Sequence, residues 1–393
     1  MGEWQEIPLK KLTNKIGSGA TPRGGSNAYK EEGISLIRSQ NVLDLKFSYD
    51  GLAFIDDQQA EKLNNVEVCE NDVLLNITGD SVARCCLVDK NCLPARVNQH
   101  VAIIRVLPEK ADHRFILYAL QFLKPELLSQ SEIGATRRAL TKGMIEDFTI
   151  YTPETFSQQR AIAKVLFSLD EKIDLLYRQN KTLEAFAEAL FRHTFIDNVE
   201  DDWEDGKLPD EFDFTMGLSP PGSSYNEDGE GIPMYQGNAD FEFRFPRRRV
   251  YTTEEKRLAE KYDTLISVRA PVGEQNMAFE KCCIGRGVAA FRYKRNANYY
   301  SYTYFKLRSL MDQVKQYNDT GTVFGSINKK DFENLDIIIP PNGLIDEYQG
   351  QVKPLDDKVI TNCIQIKTLE NLRDTLLPKL MSGEVRVQYE EAV

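Results

Sequence analysis

The chain has 393 residues, 41% apolar and 28% charged, and carries a net charge of -11; its mean hydropathy is -0.43. At roughly 150 residues per domain it should form two or three domains, and this composition fits neither a disordered chain nor one with a helical membrane span of about eighteen apolar residues. The opening MGEWQEIPLKKL has no apolar core or small-residue cleavage site of a secretory signal, so a cytoplasmic location is expected.

Residues 1–153 read as short β-runs punctuated by turns, for example DVLLNIT from Asp72 and VNQHVAIIRV from Val97, with a helical stretch near Phe115 to Leu128. Residues 154–196 are strongly helical. Their apolar positions run Ile162, Leu166, Leu169, Ile173, Leu176, then Asn180, then Leu183, Ala187 and Leu190, in steps of four and three. That spacing is a coiled-coil seam. Residues 197–340 hold an acidic linker and a second α+β domain. Between Asp197 and Glu230 twelve acidic residues face the single Lys207, which accounts for the whole net charge, while residues 244–308 carry fifteen Lys/Arg against six Asp/Glu. Attraction to phosphate acts over about 8 Å at physiological salt, so a local basic face behind an acidic linker can outweigh the total. Residues 341–393 hold a second seam, Tyr348, Val352, Leu355, Val359, Asn362, Ile366, Leu369, Arg373 and Leu376, and a tail.

The two halves repeat. Asp72-Val-Leu-Leu-Asn-Ile matches Asp263-Thr-Leu-Ile-Ser-Val at an offset of 191, Val101-Ala102 matches Val288-Ala289 at 187, and Lys181-Thr-Leu-Glu184 matches Lys367-Thr-Leu-Glu370 at 186. Gly134 to Pro153 also falls on Gly321 to Pro340 without a gap at 187. The fold class is therefore α+β: two pseudo-repeated domains alternating with two long helices. The polar interruptions differ, since Asn180 corresponds to Ile366 and Asn362 to Leu176. Parallel pairing would set each amide against an aliphatic side chain, at a cost of about 1–3 kcal/mol apiece. Antiparallel pairing lets the amides meet, and a separation beyond about 8 Å, well past hydrogen-bond reach, would contradict it. The expected helix-pair core is Ile162, Leu166, Leu169, Ile173, Leu176, Asn180 and Leu183 with Leu355, Val359, Asn362, Ile366 and Leu369. Pro354 lacks an N–H, so the second helix should kink or start there.

Catalytic and metal motifs are absent. The seven cysteines include the adjacent pairs Cys85-Cys86 and Cys282-Cys283 and no C-x-x-C, so reduced, buried thiols are expected. The three histidines lie far apart, and no metal site is expected. There is no phosphate-binding G-x-x-x-x-G-K-[ST], no H-E-x-x-H, no G-x-S-x-G and no amino-methyltransferase tetrapeptide. No carboxylate or nucleophile cluster recurs in both halves, since Asp80 becomes Pro271 and His100 becomes Gly287. Two like domains on an antiparallel spacer share the approximate twofold symmetry of duplex DNA. The seam from Ile162 to Leu190 would extend about 43 Å, and half-sites one DNA turn apart lie about 34 Å from each other.

Across essentially its whole length the chain resembles the specificity subunits of type I restriction-modification systems. The likeness rests on Ser18-Gly-Ala-Thr-Pro22 with Ile37-Arg-Ser-Gln-Asn-Val42, on Ala135-Thr-Arg-Arg-Ala-Leu-Thr-Lys142 and on Ser157-Gln-Gln-Arg-Ala-Ile162. It also rests on Met216-Gly-Leu-Ser-Pro-Pro-Gly-Ser-Ser-Tyr225 with Tyr235-Gln-Gly-Asn-Ala239, and on Leu376-Leu-Pro-Lys-Leu-Met-Ser-Gly383. The resemblance implies a prokaryotic, non-catalytic DNA-binding subunit that reads a bipartite target through two target-recognition domains. It also implies two methylation subunits bringing S-adenosylmethionine, restriction subunits bringing ATP and Mg, no cofactor in this chain and no membrane partner. Pro354 departs from the symmetry of the two spacers.

Base edges are read by Arg, Asn, Gln, Ser and Thr, and backbones are held by Lys and Arg. By residue type the first domain offers Arg23, Gln40, Asn41, Thr78, Arg84, Gln99, Arg137, Arg138 and Lys142. The second offers Ser219, Ser223, Tyr225, Gln236, Asn238, Arg247, Arg248, Arg269, Arg286, Thr322 and Lys329. Phe186, Phe191 and Leu372 are assigned to outer helix faces as subunit contacts, with core packing as the alternative. Two other functions compete: a protein-binding coiled-coil scaffold, which leaves the basic stretch unexplained, and a duplicated nuclease, which would show activity in the isolated chain.

Overall fold

The computed structural model describes residues 4–132, 138–319 and 326–388. The chain divides into two compact units, Met1–Leu175 with Lys367–Val393, and Leu176–Ile366.

Unit 1 contains β1 (Trp4–Pro8), β2 (Thr13–Ser18), β3 (Ile34–Ile37), β4 (Ala53–Ile55), α1 (Asp57–Glu61), β5 (Glu67–Val68), β6 (Val73–Asn76), β7 (Cys85–Leu87), β8 (Ala95–Val97) and β9 (Val101–Val106). Then come α2 (His113–Phe122), α3 (Lys124–Ser131), α4 (Lys142–Asp147), β10 (Thr149–Pro153) and the 37-residue α5 (Phe156–Arg192), whose last turns belong to unit 2. One sheet is antiparallel in the order β2-β9-β6-β7; a second, β4-β3-β8-β5, has a parallel β3/β8 pair; β1 pairs with β10. All four residues of β6 are buried, as a strand covered on both faces requires. Successive side chains serve opposite faces, so Val73 and Leu75 join the core under α2 while Leu74 joins the core of the second sheet. Helix starts carry side-chain caps: Asp112 accepts from Arg114 and Phe115, and Thr141 from Met144.

Unit 2 repeats this plan with β11 (Glu204–Lys207), α6 (Leu208–Glu211), β12 (Phe212–Met216), β13 (Tyr225–Asn226), β14 (Ile232–Tyr235), β15 (Tyr251–Thr252), β16 (Leu258–Ala259), β17 (Thr264–Ser267), β18 (Gln275–Met277), β19 (Cys282–Ile284) and β20 (Val288–Tyr293). It continues with α7 (Tyr300–Ser309), α8 (Met311–Asp319), α9 (Lys329–Glu333), β21 (Asp336–Ile339) and α10 (Asn342–Met381), which ends in unit 1. The sheets are β12-β20-β17-β18 and β13-β15-β14-β19-β16, again with a parallel pair, β14/β19. The register repeats as well: Leu74 faces Ile103 in unit 1 and Leu265 faces Ala290 in unit 2. The offset of 191 thus belongs to one strand and 187 to its partner.

Within unit 2, Asn362 Nδ2 donates to Asn180 Oδ1 at 2.8 Å, and both residues are fully buried. Tyr348 OH donates to Ala187 O at 3.1 Å, so early turns of α10 meet late turns of α5 there. Pro354 neither starts nor ends α10, which runs through it. Pro354 and Gly350, whose carbonyl it leaves without a donor, are both exposed, so that carbonyl is open to solvent rather than buried unpaired.

Two expectations are corrected. The acidic stretch is not a plain linker: β11 pairs with β21, and Glu211 is buried, accepting a hydrogen bond from Tyr302 OH at 2.5 Å. Phe191 is 2% exposed in the core of unit 2 beside Phe195, Tyr302 and Tyr348, whereas Phe186 and Leu372 are exposed.

Candidate nucleic-acid interface

In unit 1 four loops meet where β6 ends and β9 begins. Gly19 N–H donates to Val101 O and Ala20 N–H to Val97 O; Asn98 N–H donates to Ile37 O; Ile77 N–H donates to His100 O; Leu140 N–H donates to Ile77 O. The approach is close enough that a Cβ at Gly19 would collide with the carbonyls of Val97 and Asn98. On this frame Thr78 Oγ1 lies 2.7 Å from His100 Nδ1, and Gln99 Nε2 lies 3.2 Å from His100 Nε2. The Asn98 side chain accepts from the His100 N–H at 3.1 Å and fixes the turn. Gly79 N–H donates to Arg138 O, which brings Arg138 to the same edge.

Unit 2 builds the same frame from unlike side chains. Gly217 N–H donates to Val288 O, Leu218 N–H to Ile284 O, Gly285 N–H to Tyr235 O, Val268 N–H to Gly287 O and Ile327 N–H to Val268 O. Ser219 Oγ accepts from the Arg286 N–H at 3.1 Å, and Arg269 bridges Ser326 as Thr78 bridges Ala139. Gln236 follows β14 at this edge, as Arg38 follows β3.

The remaining candidates divide by environment. Asn41 is withdrawn from the surface: it is fully buried, its amide donates to Ser48 O and Asp50 O, and its carbonyl accepts from Arg38 N–H. Asn41 closes the short helical turn Ser39–Asn41 and ties it to the loop at Ser48 and Asp50, so this residue type did not indicate exposure. Gln40 is exposed in the same turn and donates to Asp50 O and Gly51 O, while Arg84 lies in the β6–β7 hairpin. Arg23, Ser223, Arg247 and Arg248 are exposed, Asn238 is half-buried, and Tyr225 donates its hydroxyl to Pro220 O. Lys142 pairs with Glu146 and Lys329 with Glu333 at equivalent positions in α4 and α9. Arg137 and Thr322 lie outside the described residues. His100 also lies on this edge, although by residue type it enters only as a metal ligand or a catalytic group; the Asn98 turn that presents it is the signal that could have found it.

The basic stretch is not one face. Arg244 and Lys306 are buried, and Arg248, Arg249, Arg292 and Arg308 each meet a carboxylate. Arg292 holds Asp263 at 2.6 Å, just as Arg105 holds Asp72 at 2.8 Å. These repeated pairs sit at the opposite end of β6/β9 and β17/β20 from the polar edges, so they brace strands. Burial pushes the Asp263 carboxyl upward against the pull of Arg292, and the Asp72 carboxylate raises Arg105. Burial also pushes the Cys92 thiol up to about 11, which keeps it protonated and unreactive at neutral pH. Among the described residues no group of three or more His, Cys, Asp or Glu could hold a metal, and no helix is long and apolar enough to cross a membrane.

The profile of the type I restriction modification DNA specificity domain matches residues 1–185 and again 200–368. The MjaX chain of Methanocaldococcus jannaschii, assigned as a type I restriction enzyme specificity subunit, is 25% identical over 98% of this chain and 94% of its own. The HindI type I restriction enzyme specificity subunit of Haemophilus influenzae is 21% identical over 98% of this chain and 100% of its own. The crystal structure of a type I restriction-modification system S subunit from M. genitalium covers 100% of this chain and 97% of that one, with a TM-score of 0.62 at 17% identity, which is a likeness of fold. With the domain matched twice over most of its length, the chain belongs to the type I restriction modification DNA specificity family.

Proposed function

We infer that this chain is the sequence-reading subunit of a type I restriction-modification complex: each unit's polar edge reads one half of a bipartite DNA target. The observation that carries this reading is the repeated frame. Identical main-chain hydrogen bonds hold two edges whose side chains differ, which is what independent reading of two half-sites requires, since loop residues can vary on a constant scaffold. The long helices act as the spacer, pairing as an antiparallel coiled coil centred on the Asn180–Asn362 layer, and their outer faces carry the methylation subunits. Methylation with S-adenosylmethionine and ATP-driven restriction with Mg then take place on partner subunits, and this chain is not itself an enzyme. A cytoplasmic location follows from that role.

The test is methylome sequencing of cells carrying the chain with its methylation subunits. A bipartite motif, lost when this chain is omitted, is the expected result. Binding to that duplex should weaken steeply with salt as counterions are released. A flat salt response, or methylation indifferent to this chain, would overturn the reading in favour of a protein-binding scaffold.

A further inference from the structure

The main-chain frame pairs the two edges residue by residue: Thr78 with Arg269, Gln99 with Arg286, and His100 with Gly287. In unit 1 these side chains hydrogen-bond to one another, Thr78 to His100 at 2.7 Å and Gln99 to His100 at 3.2 Å. The chain leaves Gln99 its carbonyl oxygen and a second amide hydrogen, the acceptor and donor that match N6 and N7 of adenine. In unit 2 the place of His100 is taken by Gly287, where a Cβ would collide with Gln236 O. Arg269 and Arg286 are exposed, and neither side chain has a hydrogen bond or ion pair among the described residues. Arg248, Arg249, Arg292 and Arg308 are each held by a carboxylate, whereas Arg269 and Arg286, like Arg247, Arg257 and Arg295, meet none among the described residues; what distinguishes Arg269 and Arg286 is their place on the polar edge. A free guanidinium fork matches O6 and N7 of guanine.

We propose that the two half-sites are read with different chemistry: unit 2 reads guanine through Arg269 and Arg286, and unit 1 reads adenine through Gln99 held by His100 and Thr78. This rests on the DNA-reading role inferred above.

The test uses the full chain assembled with its methylation subunits. Once the target is known, duplexes carry 7-deazaguanine at each guanine of one half-site; this removes the N7 acceptor and keeps base pairing. Binding should fall about fivefold to a hundredfold at a guanine read by a guanidinium. Arg286→Ala or Arg269→Ala should lose as much on the unmodified duplex and nothing further on the modified one. Their methylomes should become degenerate at that guanine, and Gln99→Ala should relax an adenine in the other half-site. Arg286→Lys keeps the charge without the fork and should stay degenerate. Indifference to 7-deazaguanine, full guanine selectivity in Arg286→Lys, or a target without guanine in one half-site would overturn this assignment while leaving the bipartite reading intact. A complex with no sequence-specific methylation would overturn both.

Discussion

Asp170 on α5 and Asp356 on α10 are equivalent positions of the repeat at an offset of 186, yet the two units neutralise them differently. In unit 1, Asp170 accepts from Arg373 at 2.8 Å and from Tyr118 OH at 2.5 Å, so the cation comes from the other long helix and the hydroxyl from α2. In unit 2, Asp356 meets Arg244 at 3.1 Å, and that arginine comes from the loop ahead of β15. The guanidinium lies over the ring of Tyr304, 4.1 Å from its centroid, and Glu184 of α5 is 3.8 Å away. The Arg373 pair keeps some exposure, 18% and 15%, whereas the Arg244 pair has 1% and 2%. A duplicated carboxylate therefore ties helix to helix in one unit and domain loop to helix in the other. Duplication preserved the acid, and each unit supplied its own cation.

The largest effect is expected from Arg244→Ala, which strands a buried carboxylate and should cost about 3–5 kcal/mol in denaturant unfolding. A loss under about 1 kcal/mol, the size of an exposed pair, would mean that the loop does not anchor there. Replacing both partners, Arg244→Met with Asp356→Leu, should restore most of the loss, because buried pairs pay their own desolvation. Arg373→Ala should cost less, about 2–3 kcal/mol, since Tyr118 still donates to Asp170 and water reaches the site. The amide layer comes next. Asn362→Leu leaves the Asn180 carbonyl without its donor and should cost about 1–2 kcal/mol, whereas Leu at both positions should be nearly neutral in stability.

The smallest effect separates α2 from α7. His113 opens α2 where Tyr300 opens α7, and burial holds the imidazole below its ordinary value despite the nearby Asp112. The unfolded chain then binds the proton more readily, so stability should fall as pH drops from the ordinary histidine value of about 6.5 toward the lower folded value. His113→Tyr should flatten that slope in pH-dependent thermal unfolding. An unchanged slope would assign it to other groups.

The repeat was legible because strand register preserves spacing: offsets of 191 and 187 are the two sides of one ladder. The meeting of Asn180 and Asn362 was legible because a buried amide needs a partner on the facing helix. Residue type alone misjudged Asn41, which braces its own turn, and Glu211, which lies buried beside Tyr302 within an acidic run. It also passed over Arg244, counted in a basic stretch but placed inside the core. Among the candidate contacts, Thr78, Gln99 and Arg138 lie 21 to 60 positions apart in the chain, and only the loop frame brings them to one edge.

Apolar periodicity, its polar interruptions and duplication are properties of neighbouring residues along the chain, and they determined two α+β domains, two long helices and the Asn180–Asn362 contact. Which cations face outward was decided only in three dimensions, because a charge is silenced or freed by the carboxylates and strands that folding carries to it from far along the chain.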